Sequence, residues 1–334
     1  MLRKTLILTL LIVMLTACAP AAQTTLEVAP VSPTEAASTE APATEAAATE
    51  AAVTEPMIFT DGLGREVTLA APAQRIVTLA PSLTEFVFAV GAGRQLVGRD
   101  ELVDFPAEAL EVASIGSAYG DLNTEVILAL EPDLILAAEI NTPEQVNELE
   151  GLGLTVYYLS NVQTYEDLYE QVALIGKMTG HEEEAASLAE SLAARVDAVS
   201  AAVANVTEKP TVFYEIDGTD PSKPWTTGPG TFMDTMISLA GGVNIGGVLN
   251  DPYAQISAEE IVAQDPNIIL LGDTLYGVTI ESVGERTGWA DLTAVKEGTI
   301  FPFDDNLASR PGPRLVDGLE ELVKILHPEL VMNP

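Results

Sequence analysis

A pattern of thirteen residues is written twice into this chain without a gap: Thr124-Glu-Val-Ile-Leu-Ala-Leu-Glu-Pro-Asp-Leu-Ile-Leu136 aligns with Ala258-Glu-Glu-Ile-Val-Ala-Gln-Asp-Pro-Asn-Ile-Ile-Leu270. In each copy a capped helical stretch carries a carboxylate near its start, Glu125 or Glu259. Pro132 or Pro266 then ends the helix, because proline cannot donate the N–H that another turn needs. A continuous apolar run follows at once, as in strands covered on both faces. Such a unit buries its strand only in a mostly parallel sheet flanked by helices, and two copies imply two similar lobes. A weaker echo relates Ser82 to Gly91 with Phe232 to Gly241, each a helix stopped by glycine.

The surrounding sequence fits that α/β scheme. Arg75 to Ala80, Asp133 to Ala138 and Leu154 to Leu159 read as buried strands, separated by helices over Ser82 to Val90, Thr124 to Leu130 and Pro143 to Leu149. Each helix is opened by a Ser, Asn or Thr suited to capping it. The second half repeats the alternation with strands near Thr211 to Ile216, Asn267 to Leu271 and Thr299 to Phe303. Between the halves, residues 164–206 form a helical connector broken only around Thr179-Gly180. Its second part, His181 to Asn205, places Ala185, Leu188, Leu192, Val196 and Val199 on one helix face. At helical rise it is roughly 37 Å long, enough to act as a rigid strut between lobes.

Ahead of the fold, Arg3 and Lys4 precede an apolar run to Leu15, closed by Leu15-Thr16-Ala17-Cys18. The run is short for a bilayer span and reads as an export signal over residues 1–18. Its ending resembles a bacterial lipobox, which implies a lipid anchor in the membrane on Cys18, the single cysteine of the chain. Residues 19–56 are Ala, Thr, Glu and Pro, with Thr-Glu recurring up to Glu55. Such a segment buries too little apolar surface to offset its ordering entropy, and predicts a stalk with a reach on the order of 35 Å. Residues 57–163 and 207–334 are then the two lobes on either side of the connector.

Several chemistries are excluded. One cysteine permits no disulfide within the chain and no Cys-based metal cluster, and two histidines, His181 and His327, cannot build a three-histidine metal site. Both histidines read as surface or capping residues. No nucleophile elbow accompanies them, and the Gly-x-Gly pairs at Gly62, Gly91 and Gly151 complete no phosphate fingerprint. No catalytic residue, cofactor or metal is implied. A net charge of −35 repels nucleic acid and favours a basic partner. A tethered enzyme using carboxylates such as Asp304 or Asp305, or a sensory lipoprotein, are the readings from other classes.

Six blocks in order carry a resemblance over nearly the whole folded part: Arg75 to Glu85, Asn123 to Ile135, Trp225-Thr-Thr-Gly228, Ala240-Gly-Gly-Val-Asn244, Ile256-Ser-Ala-Glu259 and Arg310-Pro-Gly-Pro-Arg314. Together they resemble the exported binding proteins for iron chelates, haem and cobalamin that serve ATP-driven importers. The resemblance implies a monomer that holds its ligand between the lobes and docks on ABC permease subunits through one acidic residue per lobe. The matching positions are Glu125 and Glu259, the pair that the internal repeat aligns. Within the family the chain looks most similar to the cobalamin binders, through Trp225, Tyr253, Asn306 and Arg310, with Tyr119 the nearest aromatic of the N-terminal lobe. These are the expected ligand-binding residues, the rings supplying apolar area and Arg310 an anionic or amide contact. Leu102 stands where that pattern has an aromatic, so an iron-siderophore or haem ligand stays open.

Overall fold

The computed structural model describes residues 55–120 and 122–330, all within one unit spanning Val53–Pro334. The export signal, Cys18 and residues 19–54 of the stalk lie outside the described residues.

The N-terminal lobe opens with an antiparallel hairpin, β1 (Met57–Thr60) and β2 (Glu66–Leu69). Then come β3 (Ile76–Thr78), α1 (Pro81–Ala89), β4 (Leu96–Arg99), β5 (Ala113–Ser114), α2 (Thr124–Ala129), β6 (Leu134–Ala138), α3 (Pro143–Gly151) and β7 (Val156–Leu159). Their parallel sheet has the order β5-β4-β3-β6-β7. Two helices follow, α4 (Tyr165–Thr179) and α5 (Glu182–Val203). The C-terminal lobe contains β8 (Thr211–Glu215), β9 (Trp225–Thr227), α6 (Phe232–Leu239), β10 (Val243–Asn244), β11 (Tyr253–Gln255), α7 (Ala258–Gln264), β12 (Ile268–Leu271), α8 (Ile280–Gly284), α9 (Thr293–Glu297), β13 (Ile300–Pro302), α10 (Asn306–Ser309) and α11 (Leu315–Leu326). Its parallel sheet runs β10-β8-β12-β13, and β9 pairs with β11 in a separate antiparallel ribbon.

The repeat extends down to single hydrogen bonds. Asn123 caps α2 by accepting from the Val126 N–H, and Ser257 caps α7 through Glu260. Before each proline the backbone turns left-handed, with φ of 44° at both Glu131 and Asp265, the two non-glycine residues of positive φ among those described. Asp133 then accepts from the Arg75 N–H at 2.9 Å, and Asn267 accepts from the Thr211 N–H at 2.9 Å. Each side chain thus pins its strand to the start of the neighbouring one, β3 or β8. The strand β6 is wholly buried, as its unbroken apolar run requires.

The interlobe helix has its physical basis in packing. One buried cluster runs from Ile76 and Leu134 of the first sheet through Leu168 and Ile175 of α4 and Leu192 and Val199 of α5 to Met236, Leu319 and Val323 of the second lobe. Helix α5 extends about 33 Å at helical rise and packs on α4 and α11. Gly176 permits the tight α4–α5 contact, since a Cβ there would lie 2.3 Å from the Ala185 Cβ. Gly180, at φ 76°, supplies the left-handed turn that separates the two helices. Arg195 of α5 binds Asp317 at 2.6 Å and Glu320 at 2.8 Å on α11.

Two local expectations differ. Ser82 caps nothing: α1 begins at Pro81, and its N-cap, Ala80, offers no side-chain acceptor. His327 ends α11 yet is buried rather than superficial. Trp289 is fully buried, edge-on to Phe213 with the Arg286 guanidinium 4.6 Å from its ring centre.

Candidate functional site: a cavity at the strand ends between the lobes

In both parallel sheets the strand order reverses next to the sheet's first strand, between β3 and β6 and between β8 and β12. At such points consecutive connections leave to opposite sides and open a crevice beyond the C-terminal strand ends. A cavity of ≈ 710 Å³ lies there, walled by Ala80 to Ser82 beyond β3, Leu102 and Asp104 beyond β4, Ala138 to Ile140 beyond β6 and Asn161 beyond β7. Tyr119 completes that side, ahead of α2. The second lobe contributes Leu275 and Tyr276 beyond β12, and Asp305, Asn306, Ser309 and Arg310 beyond β13.

Two buried aspartates set the positions of the apolar wall. Asp100 follows β4, is fully buried, and accepts from the Leu102 N–H at 2.8 Å and the Ala118 N–H at 2.6 Å. One carboxylate therefore fixes the loops bearing Leu102 and Tyr119. Burial pushes its pKa up, and those two N–H groups offset the rise only in part. Asp273 follows β12 and accepts from the Gly218 N–H at 2.7 Å, while its Oδ1 meets no partner among the described residues. It anchors the turn that carries Leu275 and Tyr276, and burial again pushes its pKa up. With the backbone so held, these side chains stand in the open: Tyr119 is 77% exposed, Leu275 82% and Tyr276 88%. Large apolar side chains left uncovered around one crevice mark a surface meant to be covered by something else.

Of the expected ligand residues, the fold brings Tyr119, Asn306 and Arg310 into one wall. Trp225 and Tyr253 are not in that wall; they are exposed on the β9–β11 ribbon, where Trp225 faces Gln255 and Tyr253 faces Thr227. The ribbon is nevertheless tied to the cavity. The Thr226 hydroxyl of β9 donates to the Tyr214 carbonyl at 2.6 Å, and the hydroxyl of buried Tyr214 donates to the Asp305 carboxylate of the wall. Arg310 is already engaged: its Nη1 lies 2.5 Å and its Nη2 3.0 Å from the Asp104 oxygens, and Nη1 is 3.4 Å from Glu85. Beside it Arg314 grips the buried Glu85 through Nε at 2.8 Å and Nη2 at 2.6 Å, its guanidinium 4.4 Å from the Phe105 ring centre. Glu85 belongs to α1 and Arg314 leads into α11, so this network, which meets the cavity wall through Arg310, joins the lobes.

Sequence reasoning missed Asp104, Leu275 and Tyr276. Leu275-Tyr276 carried a signal, an apolar pair between a strand end and Gly277, but exposure alone turns it into a site. Glu125 and Glu259 stand exposed in the first turns of α2 and α7, away from the cavity wall. Among the described residues no group of three or more His, Cys, Asp or Glu is placed to hold a metal ion, and no helix is long and apolar enough to cross a membrane.

The sequence profile described as "Periplasmic binding protein" matches residues 76–307, from β3 into α10. The chain belongs to the periplasmic binding protein family. This binding protein is 30% identical over 279 residues to an uncharacterized ABC transporter substrate-binding lipoprotein of Bacillus subtilis, a match covering 82% of the chain and 86% of the relative. It is 30% identical over 258 residues to a vitamin B12-binding protein of Vibrio cholerae, covering 76% and 90%. A periplasmic heme-binding protein of Roseiflexus sp. RS-1, in apo form, superposes with a TM-score of 0.69 at 25% identity, covering 77% of this chain and 98% of that one. The family serves ABC importers by binding substrate, without catalysis, and the two-lobed parallel α/β architecture is the one expected.

Proposed function

We propose that this binding protein captures a corrinoid in the cavity between its lobes and passes it to the permease of its importer. The observation that carries the reading is the ring of uncovered apolar side chains, Leu102, Tyr119, Leu275 and Tyr276, around a cavity that also presents Asn306 and Arg310. Flat and aliphatic groups cover the body of a large ligand at little entropic cost, and the polar groups meet its amide edge. Trp225 and Tyr253 extend this surface along the ribbon, and the kinship with a vitamin B12-binding protein supports the ligand class. Glu125 and Glu259 are the proposed permease contacts, one on each lobe, and Cys18 the proposed lipid attachment in the membrane.

Titration of purified protein with cyanocobalamin, followed by tryptophan fluorescence and the corrinoid absorbance, tests the reading. One-to-one saturation is expected, weakened by Tyr119→Ala and by Trp225→Ala. Binding of hemin or a ferric siderophore with no response to any corrinoid would transfer the site to an iron ligand. For the tether, mass spectrometry of the mature N-terminus is expected to find a lipidated Cys18, and an unmodified start elsewhere would refute it.

A further inference from the structure

We propose that Asp104 is a specificity-determining residue that makes this cavity select neutral or cationic ligands over anionic ones. The proposal rests on the assignment of the cavity as the ligand site and deepens it.

The charged residues in the wall are Asp104, Glu139, Asp305 and Arg310, three carboxylates against one guanidinium. That guanidinium is already occupied. Both terminal nitrogens of Arg310 face Asp104, at 2.5 and 3.0 Å, in the two-pronged geometry that arginine makes best with a carboxylate. An anionic ligand group that took Arg310 would have to displace Asp104. The Asp104 charge would then remain unpaired in the same cavity, so the exchange neutralises nothing. Arg314 offers no substitute, because Glu85 holds it through two hydrogen bonds.

Among the described residues, the other two carboxylates have no basic partner. Glu139 accepts from the backbone N–H of Asn161 at 2.9 Å, and Asp305 accepts from the Tyr214 hydroxyl, both neutral donors. The chain as a whole carries a net charge of −35, of the same sign. Amide N–H groups of a ligand, by contrast, find acceptors at Asp104, Glu139 and Asp305, while Tyr119 and Tyr276 cover its apolar body.

The test compares ligands that differ at one side-chain group, and the salt dependence isolates the part due to charge. Cyanocobalamin is titrated against its monocarboxylic acid, in which one side-chain amide has become a carboxylate. At about 10 mM salt, where the Debye length is about 30 Å, the acid is expected to bind at least about tenfold more weakly, the equivalent of about 1.4 kcal/mol. The gap should shrink at about 1 M salt, where the Debye length is about 3 Å. Asp104→Asn, at an exposed side chain, releases Arg310 and should close most of the gap, and Glu139→Gln should narrow it without touching Arg310. Equal affinity for the two corrinoids, or a gap that Asp104→Asn leaves unchanged, overturns the proposal while the corrinoid assignment stands. If neither corrinoid binds, the corrinoid assignment falls and charge selection is read from a neutral ferric trihydroxamate against a ferric tricatecholate with three negative charges. Preference for the neutral chelate upholds it. Equal or inverted preference, or binding of neither, overturns it.

Discussion

Replacing Glu85 tests whether the charge network behind Arg310 ties the lobes together. The side chain is buried on α1 and takes two hydrogen bonds from Arg314, at 2.8 and 2.6 Å, with Arg310 at 3.4 Å. Both arginine side chains are themselves only 15% exposed. At an effective dielectric near 20, opposite charges about 4 Å apart attract by about 4 kcal/mol. Desolvation consumes much of that attraction, yet removing one partner leaves the other buried and uncompensated, a loss of about 3 to 5 kcal/mol. Glu85→Gln keeps one acceptor and should fall near the lower figure, about 3 kcal/mol. Glu85→Ala adds a void and should cost more. The double variant Glu85→Met, Arg314→Met replaces both charges by apolar groups and should recover most of the loss, since Arg310 keeps Asp104 as its partner. Urea denaturation followed by the fluorescence of buried Trp289 measures these differences. The transition should remain single, because the core cluster runs through α4 and α5 into both lobes. A cost below about 1 kcal/mol for Glu85→Gln, in the range of surface pairs, or a double variant no better than the single, would refute the reasoning.

Truncating Tyr276 to Ala should weaken corrinoid binding by about 1 to 3 kcal/mol without lowering the melting temperature, since the ring is 88% exposed; calorimetric titration checks it, and unchanged affinity would remove the residue from the site. Reversing both Glu125 and Glu259 to Arg should abolish uptake in transport assays while ligand affinity stays unchanged, because both carboxylates are exposed away from the cavity wall; normal uptake would leave them as helix-start charges only. Burial raises the folded-state pKa of Asp100, so its contribution to stability is complete below the unfolded carboxylate pKa and is lost as pH climbs through the folded value. Melting curves upward from about pH 3 should therefore show wild type losing stability relative to Asp100→Asn across that window, and a difference of the opposite slope would contradict the burial argument.

What the sequence alone determined about this protein is its local grammar. Pro132 and Pro266 interrupt a helix that reaches them, the runs at Leu134 and Ile268 pair only in a covered sheet, and the face of Leu192 and Val199 requires a partner on each flank. These constraints act over a few residues, so they are legible without coordinates. The hairpin β1–β2 and the ribbon β9–β11 were less legible, because strands of three or four residues carry too short a period to separate from loop. Tyr119, Asn306 and Arg310 were legible as candidates, but their arrangement and partners depended on tertiary structure. The sequence marks Arg310 as a ligand contact or an ion-pair partner, and only the fold names that partner: Asp104 lies 206 residues away and reaches it across the lobes. Tyr276 and Trp289 are aromatics of one chain segment, yet one is left in solvent at a strand end and the other fully buried. Their difference follows from where β12 stops and what packs beside it, and side-chain identity holds no record of either.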